Sequence, residues 1–168
     1  MHFCLIHLQL QFYLENLNQN LIIEEKQEIA ASLEKVWEGL NNPETLRSCL
    51  PGCEEFELLE ANKFLVVMQA KIGPVKAKFK GEIELDDINP PNSYTITGSG
   101  KGGVAGFAKG VARVSLASLN NGDATEMNYR IEVTVGGKLA QAGSRLVSGA
   151  AKKLAGQFFE KFGQELSI

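Results

Sequence analysis

The sequence predicts an α+β domain in which a curved antiparallel sheet is covered by a long C-terminal helix. Two patterns carry this prediction. Residues 75 to 86 alternate apolar with charged side chains, as expected of an antiparallel strand with one buried and one solvated face. From Gly137 to Leu166 the apolar spacing changes to about 3.6 residues, which indicates an amphipathic helix. Because a curved sheet cannot cover its own inner face, we expect the helix to lie across it.

One strand and two short helices are predicted before residue 52. The β-branched residues and the polar run between 21 and 29 indicate a first, partly exposed strand. Ser32 is a suitable N-cap for the short helix that follows. Asn42 then caps a second helix with Pro43 at its first position, where no N–H is needed. The Pro51-Gly52 turn ends this helix.

The remaining strands follow from turn signals between alternating segments. Residues 64 to 71 precede the Gly73-Pro74 turn, and "YTIT" follows the turn-forming run "NPPNS". Residues 111 to 119 and 127 to 135, joined by "NNGD", predict a hairpin. The pattern therefore predicts about five or six antiparallel strands.

The composition fits one domain with a hydrophobic core, since 44% of the 168 residues are hydrophobic. We place this domain at residues 21–168. Residues 1–20 mix helical and strand spacings and are treated as an N-terminal appendage. Residues 1–60 carry a net charge of −8 and residues 61–168 a net charge of +5. This polarity is too diffuse for nucleic-acid binding, which requires a dense basic face with aromatic side chains.

The predicted location is the cytoplasm. No run of about 18 apolar residues is present, so no transmembrane helix is expected. The apolar N-terminus lacks the basic residues and the small-residue cleavage site of a signal peptide. Three cysteines, an odd number, argue against a disulfide framework and for a reducing compartment.

Two cysteine motifs raise the question of a metal site. Cys49 and Cys53 form C-x-x-x-C, and Cys4 with His7 forms C-x-x-H in the appendage. Together they would make a Cys3His set, but C-x-x-x-C has no structural-zinc partner elsewhere in the domain. A redox pair is poorly supported, because Arg47 is the one nearby base that would lower a thiol pKa. We expect Cys49 and Cys53 to be small buried hydrophobic residues and predict no metal.

The run "GSGKGG" matches the dinucleotide fingerprint G-x-G-x-x-G at Gly98, Gly100 and Gly103, with Asp123 downstream. That fingerprint needs a helix directly after the glycines, because the pyrophosphate binds at the helix N-terminus. Here the chain returns to strand alternation instead. A glycine-rich bend or bulge in a curved sheet explains the run better, and no cofactor is predicted.

Catalytic groups are hard to place in this domain. Both histidines, His2 and His7, lie in the appendage, so no Ser-His-Asp or Cys-His constellation fits the body of the fold. The positions predicted to face inward contain no carboxylate, and Glu82, Glu84 and Asp86 alternate outward. Because no polar side chains suited to catalysis are predicted to face inward, the sequence favours a binding protein over an enzyme.

The inner face of the predicted sheet is apolar, and the first half of the covering helix offers mostly small side chains. Small residues opposite a strongly curved sheet leave free volume unless bulky partners fill it. A tight core closed by Phe79, Tyr94 and Met127 fits the same composition, because ligand sites and cores are both apolar. The residues alone leave pocket and solid core open.

Three motifs resemble the CoxG-like family of carbon monoxide dehydrogenase subunits, within the START-like, or SRPBCC, superfamily. They are "VWEGLNNPETLRSCLPGCEEFE" (36–57), "GSGKGGVAGFAKGVARVSL" (98–116) and "VGGKLAQAGSRLVSGAAKKLAGQFFEKF" (135–162). With the element order, they extend the resemblance over residues 21–166. It implies a helix-grip fold, in which a seven-stranded antiparallel sheet grips the C-terminal helix around a hydrophobic tunnel. The turn at Leu50, Pro51 and Gly52 would then be the entrance of that tunnel.

The resemblance also implies a function. The expected protein is a non-catalytic accessory of a molybdenum hydroxylase of carbon monoxide dehydrogenase type. It binds an apolar small molecule, a lipid or isoprenoid quinone. Both peripheral contact with the inner face of the membrane and oligomer formation are left open. The alternatives are an interaction or membrane-recruitment protein with a solid core and, third, a cyclase-like enzyme, because one fold hosts many functions.

The residues predicted to line the tunnel or support its entrance are apolar or small side chains and the entrance glycine. They are Trp37, Leu46, Leu50, Pro51, Gly52, Val66, Met68, Phe79, Tyr94, Phe107, Met127, Tyr129, Leu139, Ala142, Leu146 and Ala150.

Overall fold

A computed structural model describes residues 18–167 of the chain. The first strand begins at Asn18, three residues before the expected domain boundary. Cys4 and His7, and with them the appendage half of the considered zinc set, lie outside the described residues.

Over residues 18–167 the fold consists of seven strands and four helices. In chain order they are β1 (Asn18–Ile29), α1 (Leu33–Leu40), α2 (Pro43–Cys49), β2 (Cys53–Glu60), β3 (Lys63–Ile72), β4 (Val75–Asn89), β5 (Ser93–Lys101), β6 (Phe107–Leu119), β7 (Ala124–Gly136), α3 (Lys138–Gln141) and α4 (Ser144–Leu166). Two single 3-10 turns lie at Gly103–Ala105 and Asn120–Gly122.

The strands form one antiparallel sheet in the order β1-β7-β6-β5-β4-β3-β2. The sheet is not closed into a barrel, so β1 and β2 are its edges. This confirms the α+β class, the seven-stranded sheet and the helix-grip arrangement. The sequence patterns identified six of these strands, and the seventh, β2, was not recognised because half of its residues are glutamate and it does not alternate.

The two short helices begin as their capping residues predict. The Ser32 hydroxyl accepts a hydrogen bond from the Lys35 N–H at 3.4 Å at the start of α1. The Asn42 side chain accepts from the N–H groups of Glu44 and Thr45 at 2.9 and 3.2 Å, and Pro43 is the first residue of α2. These bonds satisfy N–H groups that have no partner inside the helices.

The predicted C-terminal helix is interrupted, which corrects the expectation of one continuous helix. Gly143 has a φ of +95°, and it separates the short α3 from α4. The buried side of α4 also differs from the expected one, because Leu146 was predicted to line the tunnel. Val147 and Phe162 are buried, whereas Leu146 is 48% exposed.

Two hydrophobic clusters lie between the sheet and the helices. The large cluster joins α1, α2 and the end of α4 to the sheet, and its buried members are Ile23, Ile29, Ala31, Val36, Leu40, Cys49, Tyr94, Val114, Leu116, Met127, Tyr129 and Phe162. The small cluster lies where β7 leads into α3 and α4, and consists of Val135, Leu139, Ala140 and Val147. The inner face of the sheet between the two clusters is where free space remains.

Candidate functional site

A cavity of about 300 Å³ lies on the inner face of β3–β7, between the two clusters. Its walls are apolar, formed chiefly by Val66, Met68, Phe79, Ile83, Ile96 and Ile131. Its floor contains four glycines, Gly81, Gly98, Gly100 and Gly110. The cavity exists because these four positions of the floor have no side chain to fill it.

The glycines of the floor pair with each other across neighbouring strands. Gly81 lies opposite Gly100, and Gly98 lies opposite Gly110. A Cβ at Gly81 would collide with the carbonyl oxygen of Ser99, and one at Gly110 would lie 2.5 Å from the carbonyl oxygen of Glu132. Glycine is therefore required at these two positions for the close approach of the strands.

Gly98 and Gly100 are residues of the "GSGKGG" run, which the structure places at the end of β5 and in the turn after it. The turn leads into β6, so no helix N-terminus follows Gly103 in this part of the chain. The run belongs to the sheet and its following turn, as expected, but residues 98–101 pair in regular register with β4 and β6 and form no bulge.

The helix α4 crosses the inner face from β1 at one side of the sheet to β3 at the other, and among residues 18–167 those that line the cavity all belong to the sheet. Between Val147 in the small cluster and Phe158 beside the large one, the partly buried side chains of the helix include Ala151, Leu154 and Ala155. The helix thus contacts the two margins of the inner face more closely than its centre.

The structure divides the predicted lining residues among several places. Val66, Met68 and Phe79 line the cavity. Trp37, Tyr94, Met127 and Tyr129 belong to or pack on the large cluster, where the rings of Trp37 and Tyr94 meet edge to face at 5.5 Å. Leu139 is buried in the small cluster.

The predicted entrance residues lie beside one wall of the cavity. Leu46, Leu50 and Pro51 are partly buried at the end of α2. Gly52 has a φ of +74°, and its carbonyl oxygen accepts a hydrogen bond from Gln69 at 2.9 Å. Because Cys53 pairs with Met68 in the sheet, the turn is held next to this wall residue.

Four predicted lining residues lie away from the cavity. Phe107 is on the opposite face of the sheet from Ala108, where its ring covers Gly136. Ala142 is in the link between α3 and α4. Leu146 and Ala150 border a separate groove between α4 and the β3–β4 turn. The last two placements follow from helix geometry, because a row of residues spaced by four drifts around a helix of 3.6 residues per turn and leaves the side that carries Val147 and Phe162.

Sequence reasoning missed the glycine floor and its neighbours Ile83, Ile96 and Ile131 as site residues. A signal was present, because alternation along β4 placed Gly81 and Ile83 on the inward face. The glycines come together through the register of β4 with β5 and of β5 with β6. This register cannot be predicted from the sequence of any one strand.

An inward carboxylate is present, contrary to the expectation from the sequence. The Tyr129 hydroxyl donates a hydrogen bond to Glu25 at 2.9 Å, and the Tyr129 ring stacks on Phe159 at 5.8 Å. Burial, together with the Glu25 carboxylate, raises the pKa of Tyr129 to about 12. The phenol is therefore protonated at neutral pH and acts as a hydrogen-bond donor.

Cys49 is buried and Cys53 partly buried, and both are free thiols. Burial raises the pKa of each thiol. Both are consequently protonated at neutral pH, which fits the expected role as small hydrophobic residues. Among residues 18–167, no three His, Cys, Asp or Glu side chains are grouped so as to hold a metal ion. In the same range, no helix combines the length and the apolar character needed to cross a bilayer.

Solved structures share this fold over nearly the whole described chain. A START superfamily protein from Mycobacterium smegmatis has a TM-score of 0.65 at 14% identity, covering 87% of this chain and 97% of that one. The Zhui aromatase/cyclase from Streptomyces sp. R1128 has a TM-score of 0.65 at 13% identity, covering 89% and 94%. The protein therefore has the START-like helix-grip fold.

The chain belongs to the CoxG family of carbon monoxide dehydrogenase subunits, whose sequence model matches residues 26–167. A conserved protein from Geobacillus kaustophilus is 34% identical, with a TM-score of 0.83 over 88% of this chain and 95% of that one. The comparison with curated protein sequences gives no match. The family resemblance drawn from the three motifs is thus confirmed.

Proposed function

We propose that the protein binds an apolar small molecule, a lipid or an isoprenoid quinone, in the glycine-floored cavity. The observation that carries this proposal is the free apolar volume between two packed clusters. Tight packing is the rule in protein interiors, and the solid-core alternative requires it here. A volume of about 300 Å³ is at the lower end of the range for ligand sites, so it accommodates a segment of a chain-like ligand rather than all of it.

Apolar contact alone supplies enough affinity for such a ligand. Each buried methylene contributes about 0.8 kcal/mol, so about ten buried carbons correspond to micromolar binding. Few polar side chains reach the cavity walls, and none is needed for this affinity. The expected selectivity is for the length and shape of the apolar chain.

Gly100 offers the sharpest test of this function. Its Cβ position has no atom nearer than 3.8 Å, and the register with Gly81 and Ala108 places it on the inner face. Gly100→Leu should therefore fill the cavity without moving the backbone. Gly156→Leu is the matched control, because this exposed helical glycine has open space around it.

The measurement is native mass spectrometry of the purified proteins, followed by the rise in melting temperature on adding a short-chain quinone or a fatty acid. The wild type and Gly156→Leu should carry or bind the ligand, and Gly100→Leu should not. A folded wild type that carries no ligand and is stabilised by neither compound would contradict the proposal. Equal binding by Gly100→Leu would place the ligand elsewhere.

The family membership supports an accessory role beside a molybdenum hydroxylase of carbon monoxide dehydrogenase type. The acidic N-terminal part of the chain is the expected contact for that enzyme, since residues 1–60 carry a net charge of −8. Co-purification that weakens with added salt would support this arrangement, because salt screens surface charges. Co-purification that is insensitive to salt would exclude the charged contact.

A cyclase-like activity is the second candidate, and Glu25 is the observation that favours it. The Glu25–Tyr129 pair combines a carboxylate with a protonated phenol on the inner face. Tyr129 packs in the large cluster beside Phe159, next to Ile131 of the cavity wall in the inward row of β7. We therefore assign the pair a structural role and the cavity a binding role. Turnover of a polyketide substrate that Glu25→Gln abolishes would reverse this assignment.

A further inference from the structure

The outer face of the sheet, on the side away from α4 and the cavity, has a central stripe of short hydroxyl side chains. They alternate along β5 with residues that face the interior, and they are Ser93, Thr95, Thr97 and Ser99. Longer charged side chains stand on the strands at both sides of this hydroxyl stripe. Thr97 and Ser99 therefore lie at the bottom of a depression of about 730 Å³.

The two strands beside the hydroxyl stripe carry charges of opposite sign. Glu82 of β4 and Lys109 of β6 lie across β5 from each other, because both pair with the same residue of that strand. Four residues further along β4, Asp86 lies across from Arg113 in the same way. The β4 side of the stripe is thus acidic, and the β6 side is basic.

One strand further out, the signs are reversed. Lys63 of β3 and Glu132 of β7 belong to one row of paired residues, which crosses the sheet midway between the two rows just described. Each is two strands away from β5. In all three rows, charges of opposite sign therefore lie the same number of strands from the hydroxyl stripe. Together with Glu84, these four acidic and three basic side chains sum to a charge of −1.

Contacts within the molecule neutralise these charges only in part. Lys63 reaches Glu82 at 3.5 Å, and Arg113 lies 3.9 Å from Glu132. Three exposed side chains of the outer face take part in no ion pair among residues 18–167, and they are Glu84, Asp86 and Lys109. The face consequently presents free charge of both signs, on opposite sides of one strand.

We propose that the outer face is a docking surface for a second copy of the chain, with the two sheets packed face to face about a two-fold axis parallel to β5. Such an axis exchanges the two sides of β5, so β4 of each subunit lies over β6 of the other. Charges that are opposite across β5 thereby become opposite across the interface. Glu82 meets the partner's Lys109, and Asp86 meets the partner's Arg113. By symmetry, each contact is made twice.

The pattern favours another copy over a partner of one sign. An acidic or a basic molecule would be attracted to one side of the hydroxyl stripe and repelled by the other, whereas a rotated copy matches both sides.

The available area also fits a dimer. Five strands about 4.8 Å apart, each with seven residues of about 3.4 Å, cover about 570 Å² on each subunit. The two subunits together would bury about 1,100 Å², close to the minimum of about 1,000 Å² for a specific interface. Because the face is polar, we expect a weak dimer that dissociates as salt is added.

The test is sedimentation velocity over a range of protein concentrations, at low and at high salt. The wild type should form dimers at high concentration and low salt, and monomers at high salt. Asp86→Arg should raise the Kd of the dimer about 100-fold, because it places arginines opposite each other at both symmetric contacts. Arg113→Asp should have the same effect by placing aspartates opposite each other.

Mixing the two variants tests the two-fold arrangement directly. In a dimer of one Asp86→Arg subunit and one Arg113→Asp subunit, both contacts again join opposite charges. An equimolar mixture should therefore form a one-to-one dimer, although neither variant dimerises alone. The double variant Asp86→Arg/Arg113→Asp should dimerise with itself within about threefold of the wild-type Kd, since it exchanges the charges of each pair. A mixture that stays monomeric would overturn the proposed pairing.

The matched controls are Glu160→Arg and Lys152→Asp, which make the same changes of charge at exposed positions of α4. Both should dimerise like the wild type, and equal weakening by these controls would reduce the effect to overall charge and overturn the assigned surface. A wild type that remains monomeric at every concentration in low salt would overturn the proposal, and so would a dimer that Asp86→Arg leaves unchanged.

This dimer does not rest on the proposed function, because the outer face and the cavity lie on opposite faces of the sheet. Gly100→Leu, whose cavity is filled, should therefore dimerise with an unchanged Kd. Loss of the dimer in this variant would mean that the interface involves the cavity side, contrary to the proposal.

Discussion

Gly81 on β4 and Gly100 on β5 lie directly opposite each other on the inner face of the sheet, yet only one of them has room for a side chain. A Cβ at Gly81 would collide with the Ser99 carbonyl, whereas a Cβ at Gly100 would make ordinary van der Waals contact, with no atom nearer than 3.8 Å. The pair therefore combines a position required for the bend of the sheet with a position that leaves the cavity empty.

This difference gives the first prediction. Gly81→Ala should lower the free energy of unfolding by about 1–3 kcal/mol, because the added methyl forces the strands apart. Gly100→Ala, its control, should change the stability by less than about 0.5 kcal/mol. Urea unfolding followed by circular dichroism measures both. Similar losses in the two variants would show that the sheet is not closely bent at Gly81.

The second prediction concerns the break between α3 and α4. Gly143 adopts φ +95° and ψ 147°, a conformation open almost only to glycine, so Gly143→Ala should cost about 1–3 kcal/mol. Gly149→Ala, inside α4 with open space around it, should instead stabilise the protein by about 1 kcal/mol. Thermal unfolding of the two variants distinguishes a broken from a continuous helix. A continuous helix would gain stability in both.

The third prediction is a loss of stability at high pH. Burial and Glu25 raise the pKa of Tyr129 to about 12 in the folded protein, above its ordinary value of about 10. The folded state therefore keeps this proton while the unfolded state loses it. The stability that Tyr129 contributes through its raised pKa is fully present below about pH 10, and it is lost as the pH rises toward 12. Urea unfolding at several pH values in this range should show that the free energy of unfolding of Tyr129→Phe falls less steeply with pH than that of the wild type. An unchanged slope would remove Tyr129 as a cause.

The fourth prediction tests which side of α4 faces the sheet. Phe162 is fully buried and stacks on Phe158 at 5.3 Å, so Phe162→Ala should cost about 3–5 kcal/mol. Leu146→Ala should cost less than about 1 kcal/mol, because the side chain is half exposed. Chemical unfolding provides the comparison. A larger loss at Leu146 would show that the side of α4 carrying Leu146, rather than the side carrying Phe162, faces the sheet.

Local signals in the sequence predicted the local features well. The alternation of β4 and the caps at Ser32 and Asn42 depend on side chains a few residues apart, and the structure has them where expected. The helix break was missed because glycine is tolerated inside a helical pattern, and apolar spacing resumes on either side of Gly143. The positive φ of Gly143 does not change the spacing of the apolar residues in the sequence, so the spacing cannot reveal it.

The site was harder to predict because it is defined by pairing between strands. The glycines of the floor lie on three strands, and only their register shows that they meet. Phe107 illustrates the same limit. Gly106 has a φ of +108° directly before β6, and the face on which Phe107 emerges depends on that turn. Residue type predicted the apolar character of the site, whereas its location required the tertiary pairing.

The pairing of the first strand with the last has a consequence for synthesis. Asn18 lies opposite Gly136 and Ile29 opposite Thr125, so β1 can find its partner only after β2 to β6 and the residues between them have been made. Contacts between distant parts of a chain form slowly, and an unpaired strand is prone to aggregation. On the ribosome, β1 therefore stays unpaired until β7 has emerged, and aggregation through this strand is most favoured during that interval.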